Sequence, residues 1–157
     1  MASLVKTNAI RALDQKKIKY VIHYYDDNIA VSGNDVAKVL NEDEKRVFKT
    51  LVTIGKSKKN YVFVIPTFGE LDLKKAAHIS NEKSIEMIKS KELLPLTGYV
   101  HGGCSPIGMK KLFKTFIDHS AYEYETIYIS GGKRGIQVEV NAKDLEKIVP
   151  LIKGDLI

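Results

Sequence analysis

A glycine-rich loop with two adjacent cations lies between two strand-like segments late in the sequence. The loop reads Ser130-Gly131-Gly132-Lys133-Arg134-Gly135. Glycine has no Cβ and readily adopts positive φ, so the backbone of such a loop can approach a ligand closely. Lys133 and Arg134 supply positive charge that suits phosphate or ester oxygens. The pattern fits an anion-binding loop, and it fits equally well a glycine hairpin with two solvated cations.

A second glycine-rich segment and one lysine share this character. The segment reads Thr97-Gly98-Tyr99-Val100-His101-Gly102-Gly103-Cys104-Ser105-Pro106. Two loops of this kind can converge on one pocket although they are distant in sequence. Earlier in the chain, Lys49 interrupts the apolar, strand-like run 47–52. Burying an unpaired lysine in a strand is costly, which makes Lys49 a candidate functional residue.

Other chemistries receive little support from the sequence. The histidines stand far apart, at His23, His78, His101 and His119, and Cys104 has no partner cysteine, so neither a metal site nor any other cofactor is predicted. Cys104 follows His101 by three residues, which allows a thiol hydrolase, but a packed cysteine is the favoured interpretation. No pair of carboxylates accompanies the glycine loops. An enzyme built this way would depend on positioning and on backbone N–H groups.

Length and composition predict one globular domain over 1–157. The chain is 44% hydrophobic and 28% charged, unlike disordered chains. Lys+Arg exceed Asp+Glu by 25 to 19, giving a net charge of +6, which is compatible with a polyanionic partner without requiring one. The single cysteine excludes an internal disulfide, charges interrupt the apolar residues of 1–17, and the apolar runs are shorter than the roughly 20 residues of a membrane span. We therefore expect a cytoplasmic protein with no membrane partner.

The hydrophobic periodicity predicts a mixed sheet with flanking helices. Helices are predicted at 4–17, after a cap at 32–34, at 73–79 capped by Asp72, and at 144–152. Strands are predicted at 20–24, 47–54, 61–65, 84–87, 112–118, 126–129 and 136–140. The second and third strands form a hairpin around 55–60, and a turn at Leu93 and Leu94 is expected to stop at Pro95.

Four collinear motifs together resemble the YbaK/EbsC family. They are 47–51, 69–75, 98–106 and 130–135, in compatible order and spacing over nearly the whole chain. Members of this family are stand-alone aminoacyl-tRNA deacylases that act chiefly on Cys-tRNA(Pro), and they are related to the editing insertion domain of bacterial prolyl-tRNA synthetase. The resemblance implies an α/β (α+β type) fold with a mixed, mostly antiparallel sheet or partial barrel. It also implies the acceptor end of a mischarged tRNA as partner, with prolyl-tRNA synthetase as a candidate partner.

The resemblance implies roles for specific residues. Lys49 corresponds to the essential lysine that holds the ribose or phosphate of the terminal nucleotide, and Gly102 offers its N–H to the ester carbonyl oxygen. Tyr25 corresponds to an aromatic pocket wall, and Thr50 and Ser130 to polar pocket residues. The remaining substrate-binding candidates come from the two glycine loops, namely Gly103, Ser105, Pro106, Gly131, Gly132, Lys133 and Arg134.

The mechanism proposed for the family explains why no general base is evident. The thiol of the misacylated cysteine attacks its own ester carbonyl, so the substrate supplies the nucleophile. An Ala-tRNA(Pro) deacylase that activates a water, and a noncatalytic tRNA-binding module, remain alternatives. The chain departs from the family pattern at Gln137, where an aspartate is common, and at Cys104, where an aliphatic residue is common. The second departure indicates a packing position for Cys104.

Overall fold

Two β-sheets with short helices around them form the fold. The computed structural model describes residues 6–26, 36–38, 40 and 43–157. The helices are α1 (Asn8–Gln15), α2 (Leu73–Ser80), α3 (Ser90–Thr97) and α4 (Ala142–Leu145), with 3₁₀ turns at Glu44–Arg46 and His119–Glu123. The strands are β1 (Tyr20–Tyr24), β2 (Phe48–Gly55), β3 (Asn60–Pro66), β4 (Ile85–Met87), β5 (Lys114–Asp118), β6 (Ile127–Ser130), β7 (Ile136–Val140) and β8 (Leu151–Gly154). Residues 36–38 are also helical.

The smaller sheet is antiparallel, with the strand order β1-β7-β6. Alternation along the central strand β7 sends Ile136, Val138 and Val140 into the main hydrophobic core. The two residues between them, Gln137 and Glu139, therefore face the other side of the sheet. This second face is the one that matters for the site described below.

The larger sheet has the order β4-β2-β3-β5-β8 and mixes the two kinds of pairing. β2 is antiparallel to β3 and β4, whereas β3-β5-β8 are parallel. Every residue of β3 after its first is buried, because Val62 and Val64 face the core between the two sheets while Phe63 and Ile65 face a second cluster. Burial on both faces explains why this strand is continuously apolar. Ala76 of α2 belongs to that second cluster.

Most of the predicted elements are present, and the fold class is confirmed as mixed α/β. Strands 20–24 and 136–140 match within their full bounds, the hairpin around 55–60 is formed, and Asp72 caps α2 by accepting hydrogen bonds from the N–H groups of Lys74 and Lys75 at 2.9 and 3.0 Å. The first helix begins only at Asn8, after its N-cap Thr7. The predicted cap at 32–34 lies outside the described residues.

Two predicted elements are wrong. Instead of a turn at Leu93 and Leu94, α3 runs through Pro95, because the Thr97 hydroxyl and the Gly98 N–H satisfy the carbonyls of Leu93 and Leu94, each at 2.8 Å. The predicted closing helix 144–152 is replaced by the short α4 and by β8. Pro150 disfavours helix at the residue before it, and the edge of β5 offers parallel pairing to β8.

The helices of the described residues are all too short or too polar to cross a lipid bilayer.

Candidate functional site

A cavity of about 520 Å³ lies beside the first half of β2. β4 pairs only with Thr53–Gly55 of β2, so among the described residues no strand covers the edge of β2 before this point. An uncovered edge exposes consecutive residues, and the cavity accordingly contacts the unbroken run 48–52. The other described lining residues are Tyr25, Val36, Val47, Thr67, Met87, Ile88, Ser90, Leu93, His101, Gly102, Cys104, Ser130, Arg134 and Gln137.

Lys49 is the cation on the β2 wall of this cavity. Its side chain is half-buried, and its position is fixed by antiparallel pairing with Ile65 of β3. Within the described parts of the chain, Lys49 Nζ forms no hydrogen bond and no ion pair. A half-buried ammonium without a partner is available to a ligand.

The two glycine-rich segments contact each other at the cavity. Arg134 Nε donates a hydrogen bond of 2.8 Å to the carbonyl of His101. Gly102 has φ +85°, and a Cβ at this position would lie 2.7 Å from Arg134 Nε. A Cβ on Gly103 would lie 3.1 Å from the backbone nitrogen of Arg134. The positive φ favours glycine at 102, and the close approach of one loop to the other favours a residue without a Cβ at both positions.

The Gly102 N–H is left unused by this arrangement. The neighbouring Gly103 N–H closes a turn onto the Val100 carbonyl at 3.0 Å, whereas the Gly102 N–H donates to no described residue. Gly102 also lines the cavity. An unused backbone donor on a cavity wall can stabilise negative charge on a bound oxygen atom.

Helix α1 anchors the second loop. The Thr7 hydroxyl accepts a hydrogen bond from the Ile10 N–H at 3.1 Å, which caps the helix, and it donates to the carbonyl of Gly131. Within the loop, Ser130 Oγ accepts a hydrogen bond of 3.1 Å from the Gly132 N–H. One hydrogen bond within the loop and one from the cap of α1 therefore hold the loop in place. This fixes the part of the cavity wall that the loop forms.

The described lining of the cavity carries positive charge. Lys49 and Arg134 line it together with His101, and none of its described lining residues is an aspartate or a glutamate. A concave surface with cations and no carboxylate attracts anionic ligands. Phosphate and ester oxygens fit both this charge and the unused donors.

Comparison with known proteins identifies the family to which this fold belongs. Residues 28–148 match the aminoacyl-tRNA editing domain. The chain belongs to this family. The family expectation drawn from the sequence motifs is thereby confirmed.

Individual relatives of this editing domain agree. A protein of Enterococcus faecalis, named provisionally as a Cys-tRNA(Pro)/Cys-tRNA(Cys) deacylase, EbsC, is 46% identical over 152 residues, covering 95% of this chain and 90% of the relative. A proline–tRNA ligase of Brachyspira hyodysenteriae is 26% identical over 102 residues, covering 64% of this chain and 17% of the ligase. A crystal structure described provisionally as a trans-editing enzyme for prolyl-tRNA synthetase superposes with a TM-score of 0.84 at 22% identity, covering 98% of each chain, and shows the same fold.

The editing domain brings half of the predicted site residues to its cavity. These are Tyr25, Lys49, Thr50, Gly102, Ser130 and Arg134. The other six lie behind or outside it, at Gly103, Ser105, Pro106, Gly131, Gly132 and Lys133. Ser105 is completely buried, Gly103 packs against the other loop, and Lys133 is exposed. These residues shape the two loops rather than line the cavity.

Sequence reasoning missed several parts of the cavity wall, Val36 and Thr67 among them. Met87, Ile88, Ser90 and Leu93 were not assigned to a site, since the three apolar residues resemble core residues by type and a single serine forms no motif. Gln137 was noted only as a departure from the family pattern. No distinct signal was present in the sequence, because a polar residue between Ile136 and Val138 is what the alternation of a strand normally contains.

Cys104 touches the cavity but has the wrong ionisation for a nucleophile. Burial raises the pKa of its thiol to about 12, and a hydrogen bond with Thr97 opposes this only in part. The thiol is therefore protonated at neutral pH, and a thiolate is the reactive form. This agrees with the packing position indicated by the sequence.

A candidate metal-binding group lies outside the cavity lining. In the described part of the chain, ligand atoms of Asp118, His119 and Asp155 lie within 4.8 Å of one another. Both carboxylates already have partners. Asp118 accepts hydrogen bonds from the N–H groups of Ser120 and Leu156, and Asp155 forms an ion pair of 2.9 Å with Lys75. The cluster fastens the C-terminal segment to β5.

Proposed function

We propose that this editing domain hydrolyses the ester of mischarged Cys-tRNA(Pro) in trans, within the cavity between β2 and the two glycine loops. The observation that carries the proposal is that one cavity is lined both by Lys49 and by Gly102, and that neither the Lys49 ammonium nor the Gly102 N–H has a partner among the described residues. The name of the Enterococcus faecalis relative supports the substrate. We expect the reaction to take place in the cytoplasm.

The terminal adenosine of the tRNA is the part of the substrate that the cavity can bind. Lys49 is proposed to hold a ribose or phosphate oxygen, with Thr50 and Ser130 as neutral hydrogen-bonding groups beside it. Tyr25 offers an aromatic wall, and Arg134 adds positive charge near the loop. Charge-assisted hydrogen bonds of this kind are about twice as strong as neutral ones, so Lys49 is expected to dominate.

The chemistry is proposed to use the nucleophile of the substrate. The cysteine sulfur forms a bond to its own carbonyl carbon, the bond from that carbon to the ribose oxygen breaks, and the thiol proton passes to the departing ribose hydroxyl. Water then opens the cyclic thioester to free cysteine. The Gly102 N–H faces the oxygen that becomes negative, and removal of such a donor typically costs about 3–4 kcal/mol. Confinement of thiol and ester supplies a further large part of the barrier reduction.

Editing of this kind compensates for the limited ability of synthetases to discriminate between similar amino acids. A pocket discriminates a ligand that differs by one methylene by only about 1–3 kcal/mol, so a similar-sized amino acid is charged by error. The similarity to part of a proline–tRNA ligase makes prolyl-tRNA synthetase the partner to test by co-purification.

The experiment is a deacylation assay with Cys-tRNA(Pro), Ala-tRNA(Pro) and Ser-tRNA(Pro). We expect release of cysteine to be at least tenfold faster than that of the other two. Faster release of alanine would replace the proposal by an activated-water mechanism, because alanine has no thiol. Salt-sensitive binding of tRNA without release of any amino acid would indicate a noncatalytic binding module.

A further inference from the structure

Gln137 is a buried polar residue whose side chain forms no hydrogen bond with any described residue. Its side chain is 6% exposed and lines the cavity. Its Oε1 is completely buried and has no hydrogen-bond partner, and its Nε2 bonds to no described residue. Buried polar atoms without partners are uncommon in folded proteins, and each one calls for a reason.

The neighbouring residue on the same face shows that partners were available to this sheet. Glu139 accepts hydrogen bonds from the Thr126 hydroxyl, from His23 Nε2 at 3.0 Å and from Arg46 Nη2 at 3.3 Å. These bonds, with the Thr126 bond as the largest contribution, hold the pKa of the Glu139 carboxyl below its usual range. Gln137 lies two residues away in the same strand, and its side chain accepts no hydrogen bond from the described residues. The difference is that Gln137 contacts the cavity.

The bound substrate would bring one group for which the described lining offers no charged acceptor. Its ester and phosphate oxygens are acceptors, which suit Lys49, Arg134 and the Gly102 N–H. Its α-amino group is a donor, and the described lining contains no carboxylate. A carboxamide has both an acceptor and a donor end, and rotation about the terminal side-chain bond exchanges the two positions. Gln137 can therefore present its oxygen to the cavity.

We propose that the Gln137 carboxamide accepts a hydrogen bond from the α-amino group of the aminoacyl ester and thereby selects substrates with a free amino group. This inference rests on the proposed function, because it assumes an aminoacyl adenosine in the cavity. It assigns a specificity role to a strand residue, whereas the sequence motifs emphasise the loops. The acceptor is neutral, so binding the amine does not require a carboxylate to be ionised.

The test measures the preference for the amino group in the full-length protein. Two stable adenosine 3′-amides are compared by calorimetry, one carrying cysteine and one carrying 3-mercaptopropionate, which lacks the amino group. The wild-type protein is expected to bind the cysteinyl amide about tenfold more tightly. In Gln137→Met, which keeps the length of the side chain and removes its polar atoms, the ratio is expected to fall to about one. Gln137→Glu retains an acceptor and should retain the preference.

The outcomes separate this inference from the proposed function. A wild-type protein without preference, or a Gln137→Met variant that keeps it, would overturn the role of Gln137. Equal weakening of both ligands by Gln137→Met would do the same, since it would indicate a structural role. If the wild-type protein prefers the cysteinyl amide but releases no cysteine from Cys-tRNA(Pro), the proposed function fails and the inference stands. Thermal melting of each variant confirms folding.

Discussion

The half-buried charged residues at the two ends of the β2–β3 hairpin differ in whether the fold supplies them with partners. At the turn, Glu82 accepts hydrogen bonds from the Ser57 N–H at 3.0 Å, the Ser57 hydroxyl and the Tyr61 hydroxyl. At the other end, Lys49 has no partner among the described residues. A hollow of about 870 Å³ at the turn is larger than the cavity of about 520 Å³ near Lys49. The Glu82 carboxylate beside this hollow is already hydrogen-bonded to Ser57 and Tyr61, however, so a larger volume alone does not identify a binding site.

The comparison shows how one supersecondary unit can serve two purposes. Paired polar groups hold the turn against the segment after α2. Unpaired polar groups at the opposite end remain available for a ligand, at a cost that the rest of the fold must offset. The variants below test whether the two ends can be perturbed independently.

The largest expected effect comes from Lys49→Ala. We expect kcat/KM for deacylation of Cys-tRNA(Pro) to fall by about 100-fold or more, because the charge-assisted contact to the terminal nucleotide is lost. The melting temperature should change little, since the ammonium supports no contact within the described fold. Lys59→Ala, which removes an exposed lysine near the turn, is the matched control. Equal losses of kcat/KM in Lys49→Ala and Lys59→Ala would mean that the lysines at the two ends of the hairpin contribute equally to activity.

Gly102→Ala should have the next largest effect. The added Cβ would lie 2.7 Å from Arg134 Nε and would occupy a backbone conformation with φ +85°. Displacement of the loop should lower kcat/KM by about tenfold, through loss of the oxyanion donor geometry. Gly98→Ala is the control, because its φ is +84° but Gly98 does not line the cavity. Both should lose stability by about 1 kcal/mol, and only Gly102→Ala should lose activity.

Glu82→Gln tests the turn end through the pH dependence of stability. Hydrogen bonds from Ser57 and then from Tyr61 lower the pKa of Glu82 from 4.5 to about 2. A carboxyl with a lowered pKa stabilises the fold at pH values above its unfolded pKa, and this stabilisation is lost as the pH falls through the folded value. The wild-type protein should therefore lose stability between about pH 4.5 and pH 2 more steeply than Glu82→Gln. Urea unfolding across this range gives the slopes, and identical slopes would contradict the assignment.

Cys104→Ala should have the smallest effect on activity. Its thiol is protonated at neutral pH because burial raises the pKa to about 12, so we expect kcat/KM within about threefold of wild type. A folded but inactive Cys104→Ala protein would make the cysteine of the enzyme, rather than that of the substrate, the nucleophile.

The sequence predicted local features better than the pairing between distant segments. Strand β7 was predicted within its full bounds because its β-branched residues and its flanking glycine loop are local signals. Strand β8 was taken for a helix because its partner, β5, lies far away in sequence. Pro95 was read as a stop, although the decisive end signal is Gly98 in the left-handed conformation. The single-domain interpretation over 1–157 stays a prediction.

The site residues were likewise predicted better from local residue types than from contacts between distant segments. The glycine motifs and Lys49 were found from residue types, and the structure brings Gly102, Ser130 and Arg134 of those motifs to the cavity that Lys49 lines. The segment from Met87 to Leu93 escaped notice because it joins the wall only through the short pairing of β4 with β2. Gln137 could be interpreted only once its burial and its lack of partners were known.

The most direct test of the central claim is a crystal structure with the adenosine 3′-cysteinyl amide bound. We expect the ligand in the cavity beside β2, with Lys49 Nζ within about 3.2 Å of a ribose or phosphate oxygen and the Gly102 N–H facing the carbonyl oxygen. Ligand bound at the hairpin turn, with Lys49 making no contact to it, would contradict the account.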